Sequence, residues 1–193
     1  ANGGTYVSTD ANFSSDTQAA NVDDLLAQGA NVLVIFAQDG TAIEPSVAKA
    51  TSGGVPVIAY DRLIDNPDAL YISFDAGEVG RLGAEAVFSR VPNGNYVIIK
   101  GDPADANSDL LRSGYEQVIG EAVISCNITI VGEIYTDYWD PATARAEMEQ
   151  FLTANNNAVD AVLSQNDGMA GGAAAALAAQ GLNVPLGGQD GDL

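Results

Sequence analysis

Five short polar groups stand just past apolar runs: Gln38, Asp39 and Gly40; Asp61 and Arg62; Asp105 and Asn107; Asn166 and Asp167; Gln189 and Asp190. A carboxylate accepts hydrogen bonds from two neighbouring hydroxyls, a fixed guanidinium donates to hydroxyl oxygens, and an asparagine does both. Asp61, Arg62, Asp105, Asn107, Asn166 and Asp190 therefore match a polyhydroxylated neutral molecule, best a sugar. A phosphate would meet too much negative charge, and an apolar ligand would leave polar groups buried and unpaired at roughly 1–3 kcal/mol each. Trp139, the single tryptophan, sits in Thr136-Asp137-Tyr138-Trp139-Asp140-Pro141. Its indole could cover the C–H face of a pyranose or equally plug the core. Capping competes for each acidic or amide residue taken singly, because Asp and Asn after a strand commonly cap the next helix or shape a turn. Five groups together favour a site.

Other chemistries lack their parts. With no histidine and one cysteine, Cys126, a zinc site, a haem, an iron–sulfur cluster and a His-based triad are short of ligands or base, and Cys126 itself suggests no function. Paired carboxylates would also suit a glycosidase, whose acid and base flank a bond at about 5–9.5 Å. The Asn and Arg neighbours should hold these aspartates ionised as acceptors, which favours binding over cleavage. Two calcium-like strings, Asp10–Asp16 and Asp105–Asp109 with Glu116, lack the glycine at loop position six and read better as caps. No phosphate-loop or dinucleotide glycine pattern occurs. Neither a metal nor a cofactor is expected.

The chain has 193 residues, 47% of them apolar, and seven Lys plus Arg against 26 Asp plus Glu give a net charge of −19. There is ample material for a core. The seven cations are scattered, so the field of the whole chain repels nucleic acid and anionic membrane. No apolar run approaches the roughly 18 residues of a membrane span.

Short β-rich runs alternate with Ala-rich stretches, the pattern of βα units around a parallel sheet. Strands are expected at 5–8, 32–36, 56–60, 71–74, 96–100, 128–134, 159–164 and 185–188, and their continuous hydrophobicity suggests cover on both faces. Helices are expected at 16–28, 45–52, 77–90, 108–121, 141–154 and 168–180, with Asp16, Asp75 and Asp140 among the caps. In such a doubly wound α/β protein the loops at the carboxyl ends of the strands form the crevice. Lys100-Gly101-Asp102-Pro103 reads as the step between two lobes, 1–103 and 104–193. Because the chain opens on a strand-like segment and stops straight after another, segments at both ends are expected to be missing.

Ala59-Tyr60-Asp61-Arg62-Leu63-Ile64, Tyr71-Ile72-Ser73-Phe74-Asp75, Gly101-Asp102-Pro103-Ala104-Asp105-Ala106-Asn107, Trp139-Asp140-Pro141-Ala142-Thr143-Ala144, Asn166-Asp167-Gly168-Met169-Ala170-Gly171-Gly172 and Gly188-Gln189-Asp190-Gly191-Asp192 together closely resemble the periplasmic D-xylose-binding proteins of bacterial sugar ABC transporters. The resemblance implies a type I periplasmic-binding-protein fold, two doubly wound lobes closing over one monosaccharide by a hinge, with the first crossover near residues 101–105. It places sugar contacts on Asp61, Arg62, Asp105, Asn107, Trp139, Asn166 and Asp190. It also implies a non-catalytic, monomeric receptor, periplasmic or lipid-anchored outside a Gram-positive cell, that delivers D-xylose to an ABC permease. A multi-sugar receptor for glucose, galactose or arabinose, and a sensory subunit docking on a histidine kinase or chemoreceptor, are the alternatives.

Overall fold

The computed structural model describes residues 3–192, and the chain forms two compact units, 1–74 and 75–193. In the first unit, α1 (Ser15–Ala27) and α2 (Glu44–Ser52) accompany strands β1 (Leu33–Ile35), β2 (Val57–Tyr60) and β3 (Ala69–Ile72). The strands lie parallel in the order β1-β2-β3. Val22 of α1 and Ile43, Val47 and Ala50 in and beside α2 bury against Leu33, Ile35, Val57 and Ala59. These residues alternate along each strand, so they all belong to one face. The opposite face carries Val34, Leu70 and Ile72, which are 64%, 61% and 46% exposed. The expectation of cover on both faces therefore fails for this sheet among the described residues, because both helices pack on the same side.

The second unit runs α3 (Ala76–Phe88), β4 (Gly94–Lys100), α4 (Ala106–Ile124), β5 (Ile128–Tyr135), a single 3₁₀ turn (Asp137–Trp139), α5 (Pro141–Ala154), β6 (Ala161–Ser164), α6 (Asp167–Ala179) and β7 (Leu186–Gly187). Its strands are parallel in the order β5-β4-β6-β7. Consecutive residues of β4 point to opposite sides. Val97 and Ile99 pack with Ala144, Met148 and Leu152 of α5 and Met169, Ala173 and Leu177 of α6, while Tyr96 and Ile98 pack with Ala84 and Val87 of α3 and Tyr115 and Ile119 of α4. This sheet is covered on both faces, as its unbroken apolar runs require.

Helix pairs meet backbone to backbone where glycine permits it. A Cβ on Gly114 of α4 would overlap the Gly77 carbonyl oxygen and stand 2.6 Å from the Arg81 amide nitrogen of α3.

Local signals set most of the element ends. Asp75 Oδ1 accepts from the Glu78 N–H at 3.0 Å to open α3, and Asp140 Oδ2 accepts from the Thr143 N–H at 2.7 Å to open α5, where Pro141 takes the first helical position. In α1 the cap is Ser14, whose Oγ accepts from the Thr17 N–H at 3.1 Å, and not Asp16, which lies inside the first turn. Residues 5–8 form no strand. Tyr6 is 87% exposed, and no described neighbour supplies the ladder hydrogen bonds that define one.

The lobe boundary is also corrected. The compact units divide at Phe74 and Asp75 rather than between residues 103 and 104. The reason is in the packing: β4 lies at the centre of the second sheet, and α3 seats on α4, β6 and β7. Residues 76–100 therefore belong wholly to the second unit.

Candidate functional site

In the first unit, Asp61 and Arg62 follow the carboxyl end of β2. Asp61 holds a left-handed backbone (φ 65°), its N–H donates to Ile72 O at 2.8 Å, and its carbonyl accepts from the Tyr71 hydroxyl at 3.2 Å. The turn aims its side chain by force of main-chain bonding, a conformation uncommon outside glycine. The Arg62 guanidinium lies over the Phe36 ring at 4.5 Å and donates from Nη1 to Ala37 O at 3.1 Å. A flat cation held on an aromatic face and tied by one nitrogen is a fixed donor array. Gln18 braces the same loop, donating from Nε2 to Phe36 O at 2.8 Å and accepting from the Gln38 N–H at 2.9 Å. Asp39, by contrast, spends Oδ1 on the N–H groups of Thr41 and Ala42 and serves its own turn.

Burial pushes the Asp61 carboxyl above its ordinary pKa, and the neighbouring Arg62 charge offsets this only in part. That reverses the expectation that an arginine neighbour would dominate, because desolvation penalises the charged carboxylate more than the half-exposed guanidinium rewards it.

In the second unit Asp105, Asn107, Trp139, Asn166 and Asp190 follow the carboxyl ends of β4, β5, β6 and β7 in turn. The structure brings their four loops together. Asp102 Oδ2 accepts from the Tyr138 N–H at 2.7 Å, joining the loop after β4 to that after β5. The Asp167 carboxylate accepts from the N–H groups of Gly191 and Asp192 at 2.9 Å, and its own N–H donates to Gln189 O at 2.9 Å, joining the loops after β6 and β7.

Two candidates are also caps. Asp105 Oδ1 accepts from the Asn107 N–H at 3.0 Å at the start of α4, and Asn166 Oδ1 accepts from the Met169 N–H at 2.8 Å at the start of α6. Capping and ligand binding need not compete here, since a carboxylate and an amide each hold further polar capacity. Asp105 and Asn107 are only 4% and 3% exposed, which is unusual for residues whose sole duty is a helix end. Asp190 is exposed and holds φ 97°.

Trp139 answers both readings of its role. The ring packs against the apolar cluster of α5 and α6 yet is only partly buried, and its Nε1 is enclosed without a hydrogen-bond partner among the described residues. Its position follows from Gly101, whose missing Cβ leaves the space that the indole occupies. Thr136, fully buried, anchors the loop base: its hydroxyl donates to Glu147 Oε2 at 2.7 Å and its N–H to Lys100 O at 3.0 Å. Replacing Gly101 with alanine is expected to expel the indole from this seat. The emission of the single tryptophan should shift to the red in the unliganded protein, with a stability loss of about 1–3 kcal/mol from overpacking, read by urea titration.

Sequence reasoning passed over Gln165, Asp102 and Thr136, which set these loops without being candidates themselves. For Gln165 a signal was present. It closes a strand whose four residues are all buried, and a polar side chain at the end of such a run must find partners inside.

The sequence matches the periplasmic binding protein domain family over residues 1–193. It is 44% identical over 186 residues to the D-xylose-binding periplasmic protein of Escherichia coli strain K12, covering 95% of this chain and 56% of that protein. It is 34% identical over 200 residues to the multiple sugar-binding periplasmic receptor of Rhizobium radiobacter, covering 94% of this chain and 56% of the receptor. Among solved structures, an ABC transporter solute-binding protein of Clostridium phytofermentans with bound β-D-glucose superposes with a TM-score of 0.84 at 29% identity, covering 94% of this chain and 62% of the other. The chain thus spans a little over half the length of the curated relatives it matches.

Proposed function

We propose that this chain, which belongs to the family of periplasmic binding protein domains, is the sugar-gripping part of a periplasmic receptor that captures a monosaccharide, D-xylose first, and hands it to an ABC permease. Asp61 and Arg62 in the first unit and Asp105, Asn107, Trp139, Asn166 and Asp190 in the second are the proposed contacts. The observation that carries the reading is their placement: all seven lie in the loops or first helical turns that follow the carboxyl ends of parallel strands, where open α/β sheets hold their ligands. Capture by hinge closure about the passage at Phe74–Asp75 and a monomeric receptor belong to the same proposal. Membership of a family of binding proteins sets the chain apart from enzymes. D-xylose takes precedence over other sugars because the Escherichia coli relative carries that name at 44% identity.

Isothermal calorimetry of the full protein against D-xylose, D-glucose, D-galactose and L-arabinose tests this. The tightest binding is expected for D-xylose. Comparable affinity for three or more sugars would support the second reading, a multi-sugar receptor, which the relative from Rhizobium radiobacter favours. No heat with any pentose or hexose at millimolar concentration would overturn both.

The raised pKa of Asp61 gives the proposal a pH signature. Sugar hydroxyls donate to the ionised carboxylate, so affinity falls as pH drops through the pKa of Asp61, beginning at a higher pH than for an ordinary carboxylate. Stability moves the other way. A carboxyl whose folded pKa is raised contributes stability that is complete below its unfolded pKa and lost as pH rises through the folded one. Paired calorimetric and thermal-melt profiles should therefore show this opposition, and Asp61→Asn should remove it from both.

A further inference from the structure

We propose that Gln165 is a positioning residue of the sugar site, a buried side chain that ties together the segments carrying Asp105, Asn107, Trp139 and Asn166. The inference rests on the sugar-binding reading above and assigns work to a residue outside the proposed contacts. Gln165 is 1% exposed and directly follows β6. Its Oε1 accepts from the Gly101 N–H at 2.8 Å, and its Nε2 donates to Ser108 O at 2.7 Å. Its own N–H donates to Ile99 O at 3.1 Å. The amide thus grips both ends of the segment 101–108.

That segment carries two proposed contacts, Asp105 and Asn107. Its first residue, Gly101, is the floor on which the Trp139 ring rests. The next residue along the chain from Gln165 is Asn166. Four proposed contacts from three loops are therefore referred to one planar amide. The grip lies where water cannot substitute for it, since Ser108 is 1% exposed and Asn107 3%, and a buried hydrogen bond that is lost leaves its partners unsatisfied. Asp102 O and the Ser108 hydroxyl, bonded at 2.8 Å, close the inside of the same segment, so the loop moves as a body when its ends are released.

The test compares wild type, Gln165→Leu and Gln165→Glu in the full protein. A core variant, Ile119→Ala, serves as the control, being fully buried on the α3–α4 side of the sheet and outside the proposed contacts. Leucine keeps the bulk and removes both hydrogen bonds. Glutamate keeps the acceptor for Gly101 and, only when protonated, the donor to Ser108. The expected result is a monosaccharide Kd at least about tenfold weaker for Gln165→Leu, about 1.4 kcal/mol, against less than twofold for Ile119→Ala. For Gln165→Glu, the ratio of variant to wild-type Kd should fall towards one as pH is lowered and the buried carboxyl takes up its proton.

The unliganded emission of Trp139 supplies a readout that needs no sugar, and it should shift in Gln165→Leu but not in Ile119→Ala. If Gln165→Leu does not fold, the pH dependence of Gln165→Glu decides. Wild-type affinity retained in Gln165→Leu with only its melting temperature lowered would overturn the proposal, as would an unchanged tryptophan spectrum. If wild type binds no sugar, the sugar-binding reading fails first, and the proposal for Gln165 falls with it whatever the spectra show.

Discussion

Arg62→Ala is expected to weaken monosaccharide binding by roughly 100-fold. A hydrogen bond to a charged group contributes about 1.5–3 kcal/mol, and each 1.4 kcal/mol is a factor of ten in Kd. The guanidinium is held before any ligand arrives, by the Phe36 ring beneath it and by its bond to Ala37 O, so little ordering entropy offsets the gain on binding. Arg62→Lys should recover less than a tenth of the loss, because an ammonium can neither lie flat on Phe36 nor present a planar fork. Calorimetry with the tightest-binding sugar checks both variants. Binding by Arg62→Ala within threefold of wild type would remove Arg62 from the site.

The second large effect concerns the fold of the second unit. Gly114→Val should lower the stability of that unit by about 3 kcal/mol or more. The new side chain would be driven into the Gly77 carbonyl and the Arg81 amide of α3, backbone atoms that cannot rotate away. Gly83→Ala, on the same helix α3, should do the opposite and raise stability by up to about 1 kcal/mol, because its Cβ meets nothing within 4 Å. Urea unfolding followed by far-UV circular dichroism separates the two. Equal effects from both substitutions would mean that helix propensity, not the closeness of α3 and α4, governs this pair.

Much of this architecture was legible in the sequence because the signals are local and redundant. Pro141 after Asp140 fixes the start of α5 by ring geometry and side-chain capping at once, and the expected range 141–154 is the range found. The runs that became β4 and β6 are buried on both faces, so hydrophobicity alone marks them. Where partners decide, sequence was a poor guide. Residues 5–8 have the composition of a strand but no described neighbour to pair with. The third strand was expected at 71–74 and found at Ala69–Ile72, since its register is set by pairing Val57 with Ala69 and Tyr60 with Ile72. The boundary was misplaced because Gly101-Asp102-Pro103 has the composition of a linker, whereas these residues are folded tightly into the second unit by Gln165 and Trp139.

That the seven candidate residues follow strands was legible from their types and spacing, and all seven do follow strands. Their supports were not. The bonds of Gln165 to Gly101 and Ser108 span 64 and 57 residues, and no local pattern encodes such a reach.

The face of the β1–β3 sheet that no described residue covers has a consequence for handling this chain on its own. Val34, Leu70 and Ile72 form a greasy slab that invites self-association. The surplus of 19 negative charges acts as a long-range bumper against such encounters. Dissolved electrolyte shortens that bumper to about 3 Å at 1 M and leaves the slab as sticky as before. For this polypeptide, self-association is therefore expected to rise with salt, which light scattering against ionic strength checks.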